Sequence, residues 1–134
     1  MKFLFFIVVM IFTLGACNST GKQLKERLAG ADSVAINYFK GDGAMDSVVV
    51  VKIIRERAVV DDLINAITLK NKSKIDECGY DGSLHFFKRN KVIQDIDFRM
   101  GEGDCSQFTF MLNGKYYSTV VTKTAKEMLL NIKR

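Results

Sequence analysis

The sequence predicts an α+β fold, a two-layer domain in which a mainly antiparallel sheet of about six strands carries helices on one face. Short segments of alternating apolar residues are joined by short turns, as in antiparallel hairpins. Segments with helical periodicity interrupt them, in the order helix, two strands, helix, four strands, helix. The chain has 134 residues, and without its N-terminal apolar stretch it has room for one hydrophobic core.

The first predicted elements are a short helix and a hairpin. Apolar residues spaced i, i+4 over residues 22–29, with Gly30 after them, indicate two helical turns. Residues 34–40 alternate as in a strand, and the glycines at 41–43 mark a turn. Residues 47–54 contain four consecutive valines and two isoleucines, a β-branched run that predicts a strand with both faces covered.

A longer helix and a long loop come next. Residues 58–69 change to a helical period, and their apolar stripe consists of Val60, Leu63, Ile64 and Ile67. Residues 70–82 are polar and contain glycine, which predicts a loop. We expect Cys78 to staple this loop to the rest of the domain.

Residues 83–87 and 92–99 alternate as in strands, and the second of these segments has one apolar and one largely charged face. If the apolar faces of both segments lie on the same side of the sheet, the loop between them must be three residues long. That loop pairs Lys88 with Val92 and places His85 opposite Asp95.

The clearest local signal is Asn113-Gly114, since these residues adopt the positive φ angles of a type I′ turn. A two-residue loop at this point pairs Phe110 with Tyr117 and turns both toward the core. Residues 124–127 then match a capping box, which predicts that the final helix begins there.

The sheet face without helices is the predicted binding surface, because apolar and aromatic residues on an uncovered face can mark a partner site. The alternative is that the N-terminal helix or the first hairpin folds over this face and makes it core. The partner would be an envelope protein or a small ligand. The residues assigned to the binding face are His85, Phe87, Ile93, Met111, Tyr116 and Val120.

The N-terminus has a composition of its own. Lys2 is followed by an almost unbroken apolar run from Phe3 to Leu14, and two small residues then precede Cys17. A positive region, a short apolar run and small residues are the parts of a secretory signal. The run is shorter than the ~20 residues that a membrane-spanning helix needs, which argues against an uncleaved anchor.

Leu14-Gly15-Ala16-Cys17 resembles the lipobox of bacterial lipoproteins. The resemblance implies that the Cys17 sulfur carries a diacylglyceryl group, that a peptidase cuts after Ala16, and that the mature chain is anchored to a membrane of the bacterial cell envelope. Asn18 follows, instead of the Asp that resembles an inner-membrane retention signal, so the outer membrane is favoured. The alternative is a plain secretory signal cut elsewhere.

This leader divides the chain into three parts. Residues 1–16 are the predicted signal peptide, residues 17–31 the lipid anchor, tether and short helix, and residues 32–134 a single α+β domain. Of the 20 basic residues only Lys2 precedes the cleavage point, so 19 basic face 15 acidic residues and the mature formal charge is +4. The basic residues are interleaved with acids, which argues against a nucleic-acid partner.

With Cys17 assigned to lipid, Cys78 and Cys105 remain, and an even pair in an exported chain predicts a disulfide. Such a bridge would stabilise the fold by roughly 3–4 kcal/mol in the chain-entropy model. The rival interpretation is a metal site. The chain lacks a CxxC motif and has one histidine, so we predict no metal and no cofactor. The side chains that suggest the rival site are Glu77, Asp81, His85 and Asp104.

The motifs of several enzyme classes are missing from the sequence, which contains no GxSxG, HExxH, P-loop or helix-opening GxGxxG pattern. The one candidate acid–base pair is His85 with Asp95 or Asp97, and no nucleophile accompanies it. We therefore predict a binding or accessory module and not an enzyme. The alternative is a small envelope enzyme or metal-dependent protein that uses His85 with nearby carboxylates.

Overall fold

A computed structural model describes residues 19–41 and 47–134. The predicted leader with Cys17 and most of the predicted turn at 41–43 lie outside these ranges. The described helices are α1 (Thr20–Leu28), α2 (Arg57–Thr68) and α3 (Lys123–Lys133), and a 3-10 turn spans Gly103–Cys105. None of the helices in the described ranges has the length and apolar character to cross a membrane.

Seven strands lie in the described ranges and form one antiparallel sheet. Their spatial order is β2-β1-β4-β5-β6-β7-β3. The α+β fold and its order of elements are therefore confirmed, with one additional two-residue strand. The strands are β1 (Ser33–Phe39), β2 (Val48–Ile54), β3 (Asn71–Lys72), β4 (Gly82–Lys88), β5 (Lys91–Met100), β6 (Ser106–Leu112) and β7 (Lys115–Val120).

The hydrophobic core lies between the helices and one face of the sheet, which we call the inner face. All three helices contribute buried residues to it, among them Leu24, Leu63 and Leu129. The buried Tyr38 hydroxyl donates a 2.6 Å hydrogen bond to the Leu129 carbonyl and so ties β1 to α3. Burial raises the pKa of Tyr38 to about 12, so the phenol remains a donor at neutral pH.

The environment predicted for β2 is wrong. The strand pairs with β1 as expected, but it lies at one edge of the sheet, and its outer side chains are exposed to solvent. Its four exposed side chains are Val48, Val49, Val51 and Ile53, at 48–56% of their full accessibility. A continuous β-branched run gives a strand its propensity but carries no information on its neighbours.

The β4–β5 turn is also different from the prediction. The loop has two residues, Arg89 and Asn90, both with positive φ, and Lys88 pairs with Lys91. A bulge then leaves Ile93 without a partner between the Phe86 and Phe87 pairs. The extra residue compensates for the shorter loop, so His85 does lie opposite Asp95 as predicted.

The β6–β7 hairpin has the predicted register. Asn113 and Gly114 have φ angles of 51° and 79°, and Leu112 pairs with Lys115. Phe110 therefore lies opposite Tyr117 on the inner face, while Met111 lies opposite Tyr116 on the other.

Residues 73–81 cross the sheet on its outer face, the side away from the helices. The crossing is required because β3 lies beyond β7 at one edge, whereas β4 lies in the middle of the sheet. The Gln107 side chain hydrogen-bonds the backbone of Asp76 twice, at 2.6 and 3.1 Å, and Ser118 Oγ donates to the Lys74 carbonyl. We call residues 73–81 the crossing segment.

The C-terminal part of the crossing segment is fixed at Cys78 and at Asp81. Cys78 and Cys105 have sulfurs 2.02 Å apart, the disulfide distance, and Cα atoms 5.7 Å apart. Asp81 accepts hydrogen bonds from the Met100 amide at 2.6 Å and from Arg99 Nη1 at 3.0 Å. The loop predicted at residues 70–82 therefore has a fixed path and covers part of the outer face of the sheet.

Candidate functional site

The outer face of the sheet has a covered half and an open half. The crossing segment covers parts of β6 and β7, where Gln107 and Ser118 are buried. Neither α1 nor the first hairpin covers the face, as the alternative interpretation required, since α1 packs on α2 and β5 and the hairpin lies within the sheet. The candidate site lies in the open half, toward the β6–β7 turn.

This site begins where β5 separates from β6. Their pairing runs from Met100 and Ser106 to Ile96 and Phe110 and then stops. Beyond it, Gln94 Nε2 donates to the carbonyl of Met111 at 3.1 Å and so bridges the two strands.

Side chains also satisfy the β5 backbone in this region. Gln94 Nε2 donates to the Asp95 carbonyl at 3.0 Å, and Arg27 Nε from α1 donates to the Ile93 carbonyl at 3.1 Å. These side chains keep β5 and β6 apart. They also supply the hydrogen bonds that the carbonyls of Ile93, Asp95 and Met111 would otherwise lack.

The divergence leaves an open depression of about 580 Å³. Its residues come from α1, β5, β6 and the β6–β7 turn, so it is formed by parts of the chain far apart in sequence. We call it the acidic depression and define it by Asp95, Asp97, Thr109, Met111 and Tyr116. Arg27 also lines it, with its guanidinium hydrogen-bonded to the Ile93 carbonyl.

His85 borders these residues and is held by hydrogen bonds at both ring nitrogens. Its Nδ1 lies 2.5 Å from a carboxylate oxygen of Asp95 and donates to it. Its Nε2 lies within hydrogen-bond distance of Asn37 Nδ2, at 3.2 Å, and of Ser83 Oγ, at 3.1 Å. Both ring nitrogens are therefore engaged, with Nδ1 as the donor to Asp95.

Asp97 is the unusual carboxylate of the depression. Among the described residues its side chain has no hydrogen-bond or ion-pair partner, although it is partly buried. Burial raises the pKa of Asp97, the neighbouring His85 lowers it, and the like charge of Asp95 raises it again, with a net upward shift.

Thr109 lies directly opposite Asp97 on the neighbouring strand. Its side chain is 4% exposed, and its hydroxyl oxygen has no hydrogen-bond partner within the described ranges. A buried hydroxyl without a partner costs about 1–3 kcal/mol, so native structures seldom leave one in place. Within the described part of the chain, the depression therefore combines a buried hydroxyl and a partly buried carboxylate that both lack a partner, on adjacent strands.

Met111 and Tyr116 supply the apolar side of the depression. They are directly opposite each other across the β6–β7 hairpin and are 43% and 59% exposed. A methionine and an aromatic ring side by side form an adaptable apolar surface that also attracts cations.

The six residues predicted for the binding face have different positions. Met111 and Tyr116 are in the depression, and His85 is beside it. Phe87 is half-buried in the other part of the outer face, near Ile53, where a second depression of about 460 Å³ lies.

Ile93 also lines the depression, and it is partly buried because the bulge lets it pack against the core. Val92 is exposed and pairs with Phe87. Val120 is half-buried, and its amide donates to the Lys70 carbonyl just before β3.

Sequence reasoning named Asp97 only as a possible acid–base partner of His85, and it did not single out Thr109. It missed Gln94 and Arg27, which hold β5 and β6 apart. A glutamine at an inner, otherwise apolar position of β5 is the signal that points to a local break in the sheet.

No group of three or more metal-ligating side chains occurs in the parts of the chain that the structure describes. The side chains considered for a metal site are used otherwise: Cys78 is within disulfide distance of Cys105, and Asp81 pairs with Arg99. Comparison of the chain with protein-family models, with curated proteins and with solved structures found no match.

Proposed function

We propose that the protein is a membrane-anchored envelope lipoprotein that acts as a binding module, and that the acidic depression takes a positively charged group of its ligand. The observation that carries the proposal is the Asp97 carboxylate, which is partly buried beside Asp95 in an open depression and has no partner among the described residues. Strained or unsatisfied groups cluster where a ligand completes the structure.

An ammonium or guanidinium group matches this arrangement chemically. It is a donor at each of its N–H groups, so it can donate to the Asp97 carboxylate in charge-assisted hydrogen bonds. It also reduces the repulsion between Asp97 and Asp95. A methylene stem attached to the cation would lie on Met111 and Tyr116, since aliphatic and cationic groups both pack favourably on these side chains.

The geometry favours binding over the alternative of catalysis by His85. A general base needs a nitrogen that is free to face the substrate, but Nε2 of His85 is already engaged with Asn37 and Ser83. A general acid needs a proton that faces the substrate, but the Nδ1 proton is directed at Asp95. The ring orients Asp95 and thus acts as a positioning residue.

The proposed anchor places this site close to a membrane. Helix α1 begins at Thr20, three residues after Cys17 in the sequence. Three residues span at most about 10 Å, so lipid on Cys17 would hold the domain beside the headgroups. A module in this position would present its open face to soluble ligands or to neighbouring envelope proteins.

A pair of matched probes tests the charge preference. The full-length mature protein in detergent micelles is titrated with Nα-acetyl-lysine methylamide and with its uncharged counterpart, Nα-acetyl-norleucine methylamide, while backbone amide shifts are recorded. We expect the lysine probe to shift the amides of Thr109, Met111 and Tyr116 saturably and the norleucine probe to shift them at least about tenfold more weakly, the ratio expected for one charge-assisted hydrogen bond.

Asp97→Asn is the decisive variant, and Asp62→Asn is its control. Asp62 is an exposed acid on α2, in the helical layer. Asp97→Asn should remove the preference for the lysine probe, and Asp62→Asn should leave it unchanged. Equal shifts with both probes, or an unchanged response in Asp97→Asn, would contradict the cation site.

A further inference from the structure

The start of α1 lies against the end of α2, because the two helices pack antiparallel. Gly21 is buried there, and a Cβ atom on it would lie 2.5 Å from the Thr68 carbonyl oxygen, closer than Cβ atoms pack. Its amide donates a 2.9 Å hydrogen bond to Asn71 Oδ1. At the opposite end, Arg57 of α2 donates to the Ala31 carbonyl just beyond α1. The first turn of α1 is therefore held in a fixed position beside the α2–β3 connection.

This corner of the molecule carries lysines without acids in the same segments. Residues 19–25 and 63–75 together contain five lysines and no aspartate or glutamate. Two of the lysines, Lys72 and Lys74, pair with Asp76 of the crossing segment. The other three are exposed and have no acidic partner among the described residues: Lys22, Lys25 and Lys70.

An apolar side chain lies among these lysines. Leu69 follows the last residue of α2 and is 72% exposed, the largest value among the exposed large apolar side chains of the described ranges. It stands between Thr68, which Gly21 touches, and Lys70. Basic groups around an exposed apolar residue are the chemistry of segments that bind membrane surfaces, where headgroups attract the charges and the interface accepts the apolar group.

The proposed anchor leaves the domain from the same corner. Three residues lead from Cys17 to Thr20, a span of at most about 10 Å. Lipid on Cys17 would therefore hold the start of α1 at about one Debye length from the headgroups, which is about 8 Å at physiological ionic strength. At this distance anionic headgroups still attract lysine side chains.

We propose that this corner, which we call the basal surface and define by Lys22, Lys25, Leu69 and Lys70, binds the anionic headgroups of the membrane that holds the anchor. The lysines contact headgroup phosphates, and Leu69 enters the boundary between headgroups and acyl chains. The proposal rests on the lipid anchor proposed above and adds to it an orientation of the domain and a class of lipid.

This orientation leaves the acidic depression open. Arg27, which lines the depression, lies seven residues after Thr20 in α1, about 10 Å along the helix axis from the basal surface. The β2 edge is six strand spacings from β3, about 28 Å away. The membrane would therefore contact the β3 side of the molecule, with the depression above it and β2 far from the headgroups.

Site-specific labelling tests the orientation. When Cys17 is lipidated and Cys78 is bonded to Cys105, the mature chain has no free thiol. Leu69→Cys then takes a single fluorophore, and Val51→Cys is its matched control, because Val51 is also more than half exposed and lies on the opposite edge strand. The labelled full-length protein is placed in vesicles of phosphatidylcholine, alone or mixed with phosphatidylglycerol. Quenching by lipids that carry a headgroup nitroxide is then measured.

We expect the label of Leu69→Cys to be quenched at least about threefold more than that of Val51→Cys in the vesicles with phosphatidylglycerol. This quenching should fall at least about twofold in phosphatidylcholine alone, or in about 1 M salt, where the Debye length is about 3 Å.

Equal quenching of the two variants, or quenching of Leu69→Cys that is the same in both kinds of vesicle, would overturn the basal surface. A Leu69→Cys label that escapes quenching while the protein stays on the vesicles would also overturn it, and would leave this corner free for a protein partner. Labelling of the wild-type chain would instead reveal a free Cys17 and would refute the anchor together with the basal surface.

Two charge-matched triple variants of the labelled Leu69→Cys chain test the lysines. Each lysine near an anionic surface strengthens binding about fivefold, so the basal triple variant should lose most of the quenching that depends on phosphatidylglycerol. The control triple variant removes the same charge from exposed positions outside the basal surface and should keep that quenching. The lysines replaced by Gln are Lys22, Lys25 and Lys70 in the basal variant, and Lys40, Lys88 and Lys91 in the control. Equal losses in both variants would mean that net charge alone attracts the domain, and the basal surface would be refuted.

Discussion

Single residues of the acidic depression trade stability for an open site. Thr109 has a buried hydroxyl without a partner, and Asp97 has a partly buried carboxylate without one among the described residues. Each arrangement is unfavourable for folding, and a bound cationic donor would give the Asp97 carboxylate a partner. Conflict between stability and function is typical of binding sites.

The pKa of Asp97 gives the first prediction at this scale. Because burial raises its folded-state pKa, the fold favours the neutral carboxylic acid, and stability is lost as the pH rises from the ordinary Asp value of 3.8 through the folded-state value. Asp97→Asn keeps the side chain neutral at every pH. The variant should therefore be more stable than the wild-type chain at pH 7 and equal to it near pH 3.

Thermal unfolding between pH 3 and pH 7 measures this effect. Since Asp97 is only partly buried, solvent screening reduces the gain, and we expect an increase in Tm of roughly 1–4 °C at pH 7. His85 and Asp95 are the other titratable groups that act on Asp97, so Asp95→Asn is measured in parallel. A Tm difference that stays constant across the pH range would show that the substitution acts through packing and not through the carboxylate charge.

Among the elements, turns defined by their own residues were predicted well, and environments set by distant residues were not. Asn113-Gly114 has the backbone preferences of its turn built into the two residues, so the β6–β7 register followed. The turn of Arg89 and Asn90 was predicted one residue too long, since a bulge at Ile93 depends on packing against the core. The edge position of β2 depends on where all other strands lie.

The β6–β7 register gives the second prediction, on two adjacent tyrosines. Tyr116 points outward and is exposed, whereas Tyr117 points inward and packs against the core. Tyr116→Ser should change the free energy of unfolding by less than about 0.5 kcal/mol, because an exposed side chain loses little burial. Tyr117→Ser, the same substitution one residue later, should cost about 1.5–3 kcal/mol.

Urea unfolding followed by far-UV circular dichroism measures both values under the same conditions. Each variant is the control for the other, because both tyrosines lie in β7 and the same substitution changes the strand propensity equally. A loss of 2 kcal/mol or so in Tyr116→Ser would mean that the Met111–Tyr116 side of the depression is buried, and the cation site would lose its apolar wall.

In the whole molecule, the path of the crossing segment determines which part of the sheet can bind. The sequence predicted a loop at residues 70–82 from its polar composition, but composition contains no information on direction. The path follows from the sheet order, since the chain must travel from β3, beside β7, to β4 at the centre. The result is a sheet with helices on one face and a half-covered, half-open second face.

The proposed anchor and the acidic depression are linked through one helix. Lipid at Cys17 would keep α1 near the membrane, and α1 in turn contributes Arg27 to the acidic depression. A ligand of the depression would therefore bind close to the membrane surface.

The last prediction concerns the N-terminus of the mature chain. The leader has a positive charge, an apolar run, two small residues and Cys17 in the order that a lipoprotein signal requires. We expect intact-mass analysis of membrane-extracted protein to show a chain that begins at Cys17 and carries added acyl mass. Cys17→Ala should remain an uncleaved precursor without acyl chains, because the sulfur that receives the lipid is absent.

Asn18→Ala is the matched control, since it changes the next residue and leaves the lipobox intact. It should be processed and acylated like the wild-type chain. One acyl chain binds a membrane only marginally, whereas the diacylglyceryl group supplies two. The wild-type protein should therefore stay with membranes through a high-salt wash. Cys17→Ala should not show the mature mass. A mature wild-type chain that begins at any other residue, or lacks lipid mass, would refute the anchor and leave the acidic depression without its proposed position at the membrane.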